Sequence, residues 1–317
     1  MINVTFASLA YDNKKKKTRR EKFLAEMNQV IPWGELLKVI KEYYPTAGNG
    51  RQPMPMERML RIYFMQQWYG LSDPAMEDAL YDIESMRRFA DIDIAVDVVP
   101  DETTILNFRH LLEKYNLSRH IFEKTNDYLT EKGLLVREGT IVDATIISAP
   151  SSTKNQEKTR DPEMRSTRKG NQYYFGMKAH VGTDTGGLVH NIVVTDASVH
   201  DSQVIDKLVH GKEQVIYGDR AYSSEKKKHE YETKGIKWCV NLRGCRWRQL
   251  TEEEVEINHQ RSQVRAKVEH AFLVVKHLWR YQKVRYKGLY KNAVQVFSLF
   301  ALSNLYLVRH ALQKIGA

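Results

Sequence analysis

Cysteine is nearly missing from this chain. Only Cys239 and Cys245 occur, so no disulfide framework is indicated and a reducing, cytoplasmic setting is the simpler context. Taken with His259, the pair fits no recurrent zinc-ligand spacing. Long apolar runs are missing too. The most apolar stretch, Ala293 to Val308, is interrupted by Gln295, Ser298, Ser303 and Asn304. It is short for a bilayer span, so it reads as a buried helix and no membrane partner is expected. No secretory signal is visible, because Lys14 to Lys17 is followed by a polar helical segment rather than an apolar core. Acidic charge is in deficit: 39 Asp and Glu face 49 Lys and Arg, a formal net charge of +10. That excess suits a polyanion such as nucleic acid or an acidic membrane surface, and equally a merely soluble basic protein.

What is present suffices for a sizeable core. The 317 residues allow one large domain or two ordinary ones, and 42% of them are apolar. The N-terminal third reads as helical. Lys14, Lys15, Lys16, Lys17, Arg19, Arg20 and Lys22 crowd into nine positions, which describes either a phosphate-contacting arm or a solvated helix start. Pro32-Trp33 opens a second helix, and Tyr44 to Gly50 is dense in breakers and reads as a loop. Met56, Met59, Leu60, Tyr63, Phe64 and Trp68 recur at helical spacing, a core stripe. Gly70-Leu-Ser-Asp-Pro74 then supplies a turn, an N-cap and a first-turn proline. Helix, Gly-containing turn, helix is the outline of a DNA-binding helix-turn-helix and also of any helical hairpin. A further helix begins at Pro100. On it Thr103, Thr104, Asn107 and Arg109 suit phosphates and base edges, although the pattern is equally that of a plain amphipathic helix.

From Gly133 the character changes. Gly139 to Ile147 is β-branched and almost wholly apolar apart from Asp143 in its middle, and a lone carboxylate there is costly unless paired or bound to a cation. Ser151 to Gln172 is polar and basic and reads as an exposed loop. Tyr173 to Thr183 and Leu188 to Thr195 read as a hairpin about Asp184-Thr-Gly-Gly187. The run Val215 to Tyr217 delivers Gly218 and Asp219 into a turn, the place where active-site acids gather in α/β folds, though Gly-Asp is also ordinary turn chemistry. Ile236 to Asn241 is a further strand. Arg246, Trp247 and Arg248 interleave charge with an indole, which suits stacking on an unpaired base or plain packing.

From Arg261 a last helical stripe runs through Val264, Val268, Ala271, Phe272, Val275, Leu278 and Trp279. On its wheel Arg265, Glu269 and Lys276 fall within about 40° of each other at the border of the stripe. An Arg265–Glu269 salt bridge explains the spacing at its plainest. If Asp143, Asp219 and Glu269 converge, they present hard oxygens for divalent metal. Two Mg²⁺ ions (or Mn²⁺) could then activate a nucleophile on one side of a phosphodiester and stabilise the leaving oxygen on the other. Arg265 and Lys276 would contact the neighbouring phosphates.

These residues carry a resemblance that runs almost end to end. Thr103-Thr-Ile-Leu-Asn-Phe-Arg-His110, Val142-Asp-Ala-Thr145, Phe175-Gly-Met-Lys-Ala-His180, Val268-Glu-His270 and Arg285-Tyr-Lys-Gly288 are among its signatures. The chain resembles bacterial insertion-sequence transposases of the DDE superfamily, of the insertion-sequence-five type. The resemblance implies a ribonuclease-H-like core, a mixed five-stranded sheet with flanking helices, over residues 133–317. It further implies a helical domain over residues 1–132 that recognises transposon ends. Asp143, Asp219 and Glu269 match the catalytic triad of the family. Arg265, Glu269 and Lys276 match a Tyr-x2-Arg-x3-Glu-x6-Lys signature whose Tyr position is Ser262 here. Residues 220–268 are too few for the β-rich insertion that some relatives carry. The implied partners are double-stranded DNA, both terminal inverted repeats and target, and a second copy of the chain in a dimer or larger assembly. The implied setting is the bacterial nucleoid. A nuclease without strand transfer and a silent DNA-binding descendant are the rival readings.

Overall fold

The computed structural model describes residues 11–316 apart from 12, 51, 155, 157, 245 and 246. The described N-terminal residues form, from Arg19 on, helices α1 (Arg19–Val30), α2 (Trp33–Lys41), α3 (Met56–Tyr69), α4 (Asp73–Asp82), α5 (Glu84–Phe89), α6 (Glu102–Lys114) and α7 (Leu117–Glu131). Their starts follow local chemistry. Thr18 and Glu21 form a reciprocal capping box on α1, Ser72 caps α4 ahead of Pro74, and the Asp101 carboxylate accepts from Thr104 N on α6. Gly70 ends α3 at φ 69°, a left-handed conformation that favours glycine. Around α3 burial exceeds the expected stripe and takes in Ile62, Met65, Gln66 and Gln67 as well. A later helix packs on its other side, so α3 is enclosed rather than amphipathic.

The sheet has six strands: β1 (Gly139–Ser148), β2 (Arg165–Lys169), β3 (Gln172–Thr183), β4 (Val189–Asp196), β5 (Val215–Gly218) and β6 (Lys237–Val240). β1 pairs β3 antiparallel and β5 parallel; β3 pairs β4 antiparallel, and β5 pairs β6 parallel. Those five strands form the expected mixed sheet. The sixth, β2, falls inside the segment expected to be a loop and pairs with the first half of β3 around Gly170. Its side chains are mostly exposed, so no apolar alternation announced it; the pairing is carried by the backbone.

Short helices α8 (Ile205–Leu208) and α9 (Glu225–Thr233) cover one face, where Val142, Ile205, Ile216, Tyr222, Tyr231 and Trp238 form a small core. The other face meets α10 (Glu252–Arg265), α11 (Val268–Phe272) and, after a π-turn over Leu273–Leu278, α12 (Leu289–Leu307), while α13 (Arg309–Gly316) packs on α1 and α12. The straight helix expected from Arg261 onward is therefore broken twice. The wider π-turn rotates later residues, burying Val274 and exposing Leu278. α12 is the apolar stretch read as a buried helix. It stitches the two halves together: Tyr63 and Ser298 hydroxyls lie 3.0 Å apart, Gln295 Nε2 donates to Gln67 Oε1, and Asn304 bonds both Asn126 and the Val189 backbone. One apolar cluster accordingly runs from Leu24 to Leu312 through both regions. No helix among the described residues is long and apolar enough to cross a membrane.

Candidate active site

β1 and β5 run parallel with Val142 opposite Gly218, so Asp143 follows on β1 and Asp219 lies just past the end of β5, capping the 3-10 turn Arg220–Tyr222. Gly218 permits that approach; a Cβ there would lie 3.0 Å from Val142 Cγ2 and 3.3 Å from Val240 Cγ2. Each aspartate spends one oxygen on the backbone. Asp143 Oδ1 accepts from Ala144 N at 2.8 Å, and Asp219 Oδ1 accepts from Ala221 N at 2.8 Å. Both second oxygens look toward one cation, Arg265: Nη1 stands 3.5 Å from Asp143 Oδ2 and 4.0 Å from Asp219 Oδ2. The Asp143 side chain is only 13% exposed. Burial pushes its carboxyl up to about 6, the charges of Asp219 and Glu269 push the same way, and the Ala144 amide and Arg265 offset part of the rise.

Glu269 occupies the first turn of α11 and is exposed. Its charge reaches both Asp143 and Lys276. The break before it is anchored by the β3–β4 hairpin: Lys267 Nζ donates to Thr185 O at 2.8 Å, and a Cβ on Gly187 would lie 2.6 Å from Lys267 O. As the side chains stand, no three His, Cys, Asp or Glu among the described residues are grouped closely enough to hold a metal. The donor set nevertheless fits a hard divalent ion. Asp143 and Asp219 each turn a carboxylate oxygen toward the same cationic group, Arg265 Nη1, and Glu269 stands exposed in the first turn of α11 with its charge felt at Asp143.

A cavity of about 330 Å³ opens beside Asp219, lined among others by Arg220, Asn241, Arg243, Asn258 and Arg265. Asn241 Oδ1 and Arg265 Nε are buried there without a partner, and Asn241 Nδ2 donates to Ser262 Oγ at 3.0 Å. Ser262, the departure from the tyrosine of the signature, therefore steadies the cavity wall. Sequence reasoning missed this cavity, whose residues are scattered polar positions with no shared period.

Residues 135–305 match the family model described as the transposase DDE domain, and residues 12–111 match a second, the transposase domain DUF772. The chain belongs to the DDE transposases. It is a DNA transposase, an enzyme of DNA cleavage and strand transfer. Among solved structures it is similar to a piggyBac transposase synaptic complex with hairpin DNA. That match has 11% identity, a TM-score of 0.45, and covers 91% of this chain and 73% of that one. It is also similar to the Mos1 strand transfer complex, with 13% identity, a TM-score of 0.28, and 95% and 97% covered.

The other residues expected to touch DNA fare unequally in this transposase. Lys15, Lys16, Lys17 and Arg19 are exposed, and Arg20 lies over the Tyr69 ring. Lys14 is held by Glu21 and the Tyr11 ring. Thr104 and Asn107 border a surface cavity with Tyr44 and Met54. Arg109 is corrected: it is 8% exposed, bridges Asp73 and Glu113 and stacks on Tyr286, so it holds helices together rather than facing a groove. Lys276 points inward as well, donating to Thr145 Oγ1 and Ile146 O at 3.0 Å each. Trp247 is 89% exposed, Arg248 pairs with Glu254, and Arg246 lies outside the described residues. Sequence reasoning also missed a buried group on the far face of β3. There Lys178 Nζ donates to Asp201 Oδ1, and His180, pushed down to about 4 by burial, bonds Thr195. Lys178 and His180 stand two apart on one strand, the period that signals a shared face.

Proposed function

We propose that Asp143, Asp219 and Glu269 are the catalytic carboxylates and that they hold two Mg²⁺ ions, replaceable by Mn²⁺. The observation that carries this reading is the pair of aspartates, one on β1 and one just past the end of the parallel β5, each with one oxygen turned to a common cation. Bound there, the metals would supply charge for an attacking and a leaving oxygen. The chain's own groups do the rest. Asp143 and Asp219 are fixed by backbone amides, so their orientation costs no reorganisation on binding. Arg265, with Arg220 and Arg243 beside it, receives the phosphates flanking the scissile bond in the adjoining cavity.

In the first step water attacks the phosphorus at an element end, and the bond to the 3′ oxygen breaks to release a 3′-hydroxyl. In the second that hydroxyl attacks a target phosphodiester, joining element to target and releasing the target's own 3′ oxygen. Residues 1–132 would engage the terminal inverted repeats and residues 133–317 would carry the chemistry, on chromosomal DNA in the bacterial cytoplasm. Two ends must be cut and joined together, so the working form is a dimer or larger assembly on DNA.

The test incubates purified protein, Mg²⁺ and labelled end DNA. Asp143→Ala, Asp219→Ala and Glu269→Ala are each expected to lower cleavage by about a thousandfold or more while end binding persists. Undiminished cleavage by any one of them removes that residue from the site.

A further inference from the structure

Charge is segregated along this basic chain. Residues 71–102 hold ten acids and two arginines, a net −8 within a total of +10, so the remaining residues carry +18. Within the acidic segment the connection from α5 to α6 displays three β-branched apolar side chains outward: Ile94 is 52% exposed, Val96 71% and Val98 65%. This display is built, not slack. Ile92 and Val99 are buried at its two ends. Asp97 Oδ2 accepts from Asp93 N at 2.9 Å, Asp93 Oδ1 accepts from Ala95 N at 3.0 Å, and Arg58 Nη2 ties Asp97 at 3.1 Å and the Asp91 carbonyl at 2.6 Å. Three exposed β-branched side chains at alternate positions of one tethered connection suit a contact surface.

We infer that this acidic, apolar face docks against a basic surface of a second copy of the transposase. Asp78, Asp82 and Asp91 are exposed and carry no ion pair among the described residues. A surface of that sign repels the phosphate backbone, so DNA is not its occupant. An opposed pair of identical faces would repel as well. The acidic face of one copy therefore meets positive surface on the other, and a twofold axis repeats the contact in reverse so that the assembly closes. The chain itself supplies a complement, since the residues outside the segment carry a net +18, with Lys15, Lys16, Lys17 and Arg19 exposed among them. The apolar side chains give the contact its dry centre and the carboxylates its rim. The inference rests on the reading that two element ends are brought together.

The test uses the full chain and short end DNA. Wild type is expected to form a dimer whose dissociation constant, measured by sedimentation, weakens as salt rises. Ile94→Ser, Val96→Ser and Val98→Ser combined should raise that constant about tenfold or more and abolish the paired-end complex. Asp78→Lys with Asp82→Lys should do the same without touching the apolar side chains. Single-end binding by both variants should stay within about threefold of wild type. Unchanged dimerisation in both variants overturns the proposal, as does a wild type that stays monomeric with end DNA. Weakened single-end binding with dimerisation intact would show a DNA surface instead and overturn it too. Loss of cleavage in the carboxylate variants is read separately, so failure of this interface is distinguishable from failure of the active-site reading.

Discussion

Asp143 is the residue whose environment conflicts most with its charge. Its carboxyl ionises near 3.8 in an unfolded chain and near 6 in the folded one, so the fold holds the proton more tightly than water does. Between those values the unfolded state ionises first, and the contribution to stability falls as pH rises through about 4 to 6. Asp143→Asn removes that cost. It should stabilise the metal-free protein in urea by about 1–2 kcal/mol at pH 7.5, after allowing for partial solvent screening, with the gain vanishing near pH 4. A variant less stable than wild type at pH 7.5 would mean that Arg265 holds the charge more firmly than burial opposes it. The same substitution should also end the stabilisation that wild type gains from added Mg²⁺.

Among the elements, the hairpin turn between β3 and β4 governs where Glu269 stands. Gly187 sits at φ 96° where an added Cβ would lie 2.6 Å from Lys267 O, so Gly187→Ala combines a left-handed backbone with a steric clash. It should lower stability by about 2–3 kcal/mol and reduce cleavage, and end-DNA binding should persist. Cleavage at the wild-type rate would detach the hairpin from the site. Which of these relations could be read from residues alone follows from their range. Asp143 stood out because an ionisable group interrupts a β-branched run, and Gly218-Asp219 because a turn follows a strand; both signals are local. β2 was hidden because its residues are polar on both faces. The π-turn was hidden because its extra residue per turn leaves no mark in composition. Arg109 was misread because a helix wheel places a charge outside by default, while its partner Asp73 lies 36 residues away. The cavity at Asn241 depends on contacts between strand end and helix that no short-range pattern encodes.

For the whole molecule, the separation of free from engaged cations makes a prediction about salt. Lys15→Ala, Lys16→Ala and Lys17→Ala combined should weaken end binding and flatten its logarithmic salt dependence by about 2–3, near one per lost phosphate contact. Arg109→Ala should leave that slope alone and lower the unfolding free energy by about 3 kcal/mol, because Asp73 and Glu113 lose their common partner. A flattened slope for Arg109→Ala would return it to the DNA surface.

The seam formed by α12 bears on what incomplete copies of such an element encode. Because Tyr63, Gln67 and Asn126 find their partners on a helix near the C-terminal end, a frameshift or early stop before residue 289 strips the N-terminal helices of their lid. The shortened product then exposes apolar surface and is degraded, rather than persisting as a competitor that occupies element ends without cutting them. Decayed copies of this gene therefore fall silent instead of becoming repressors of their intact siblings.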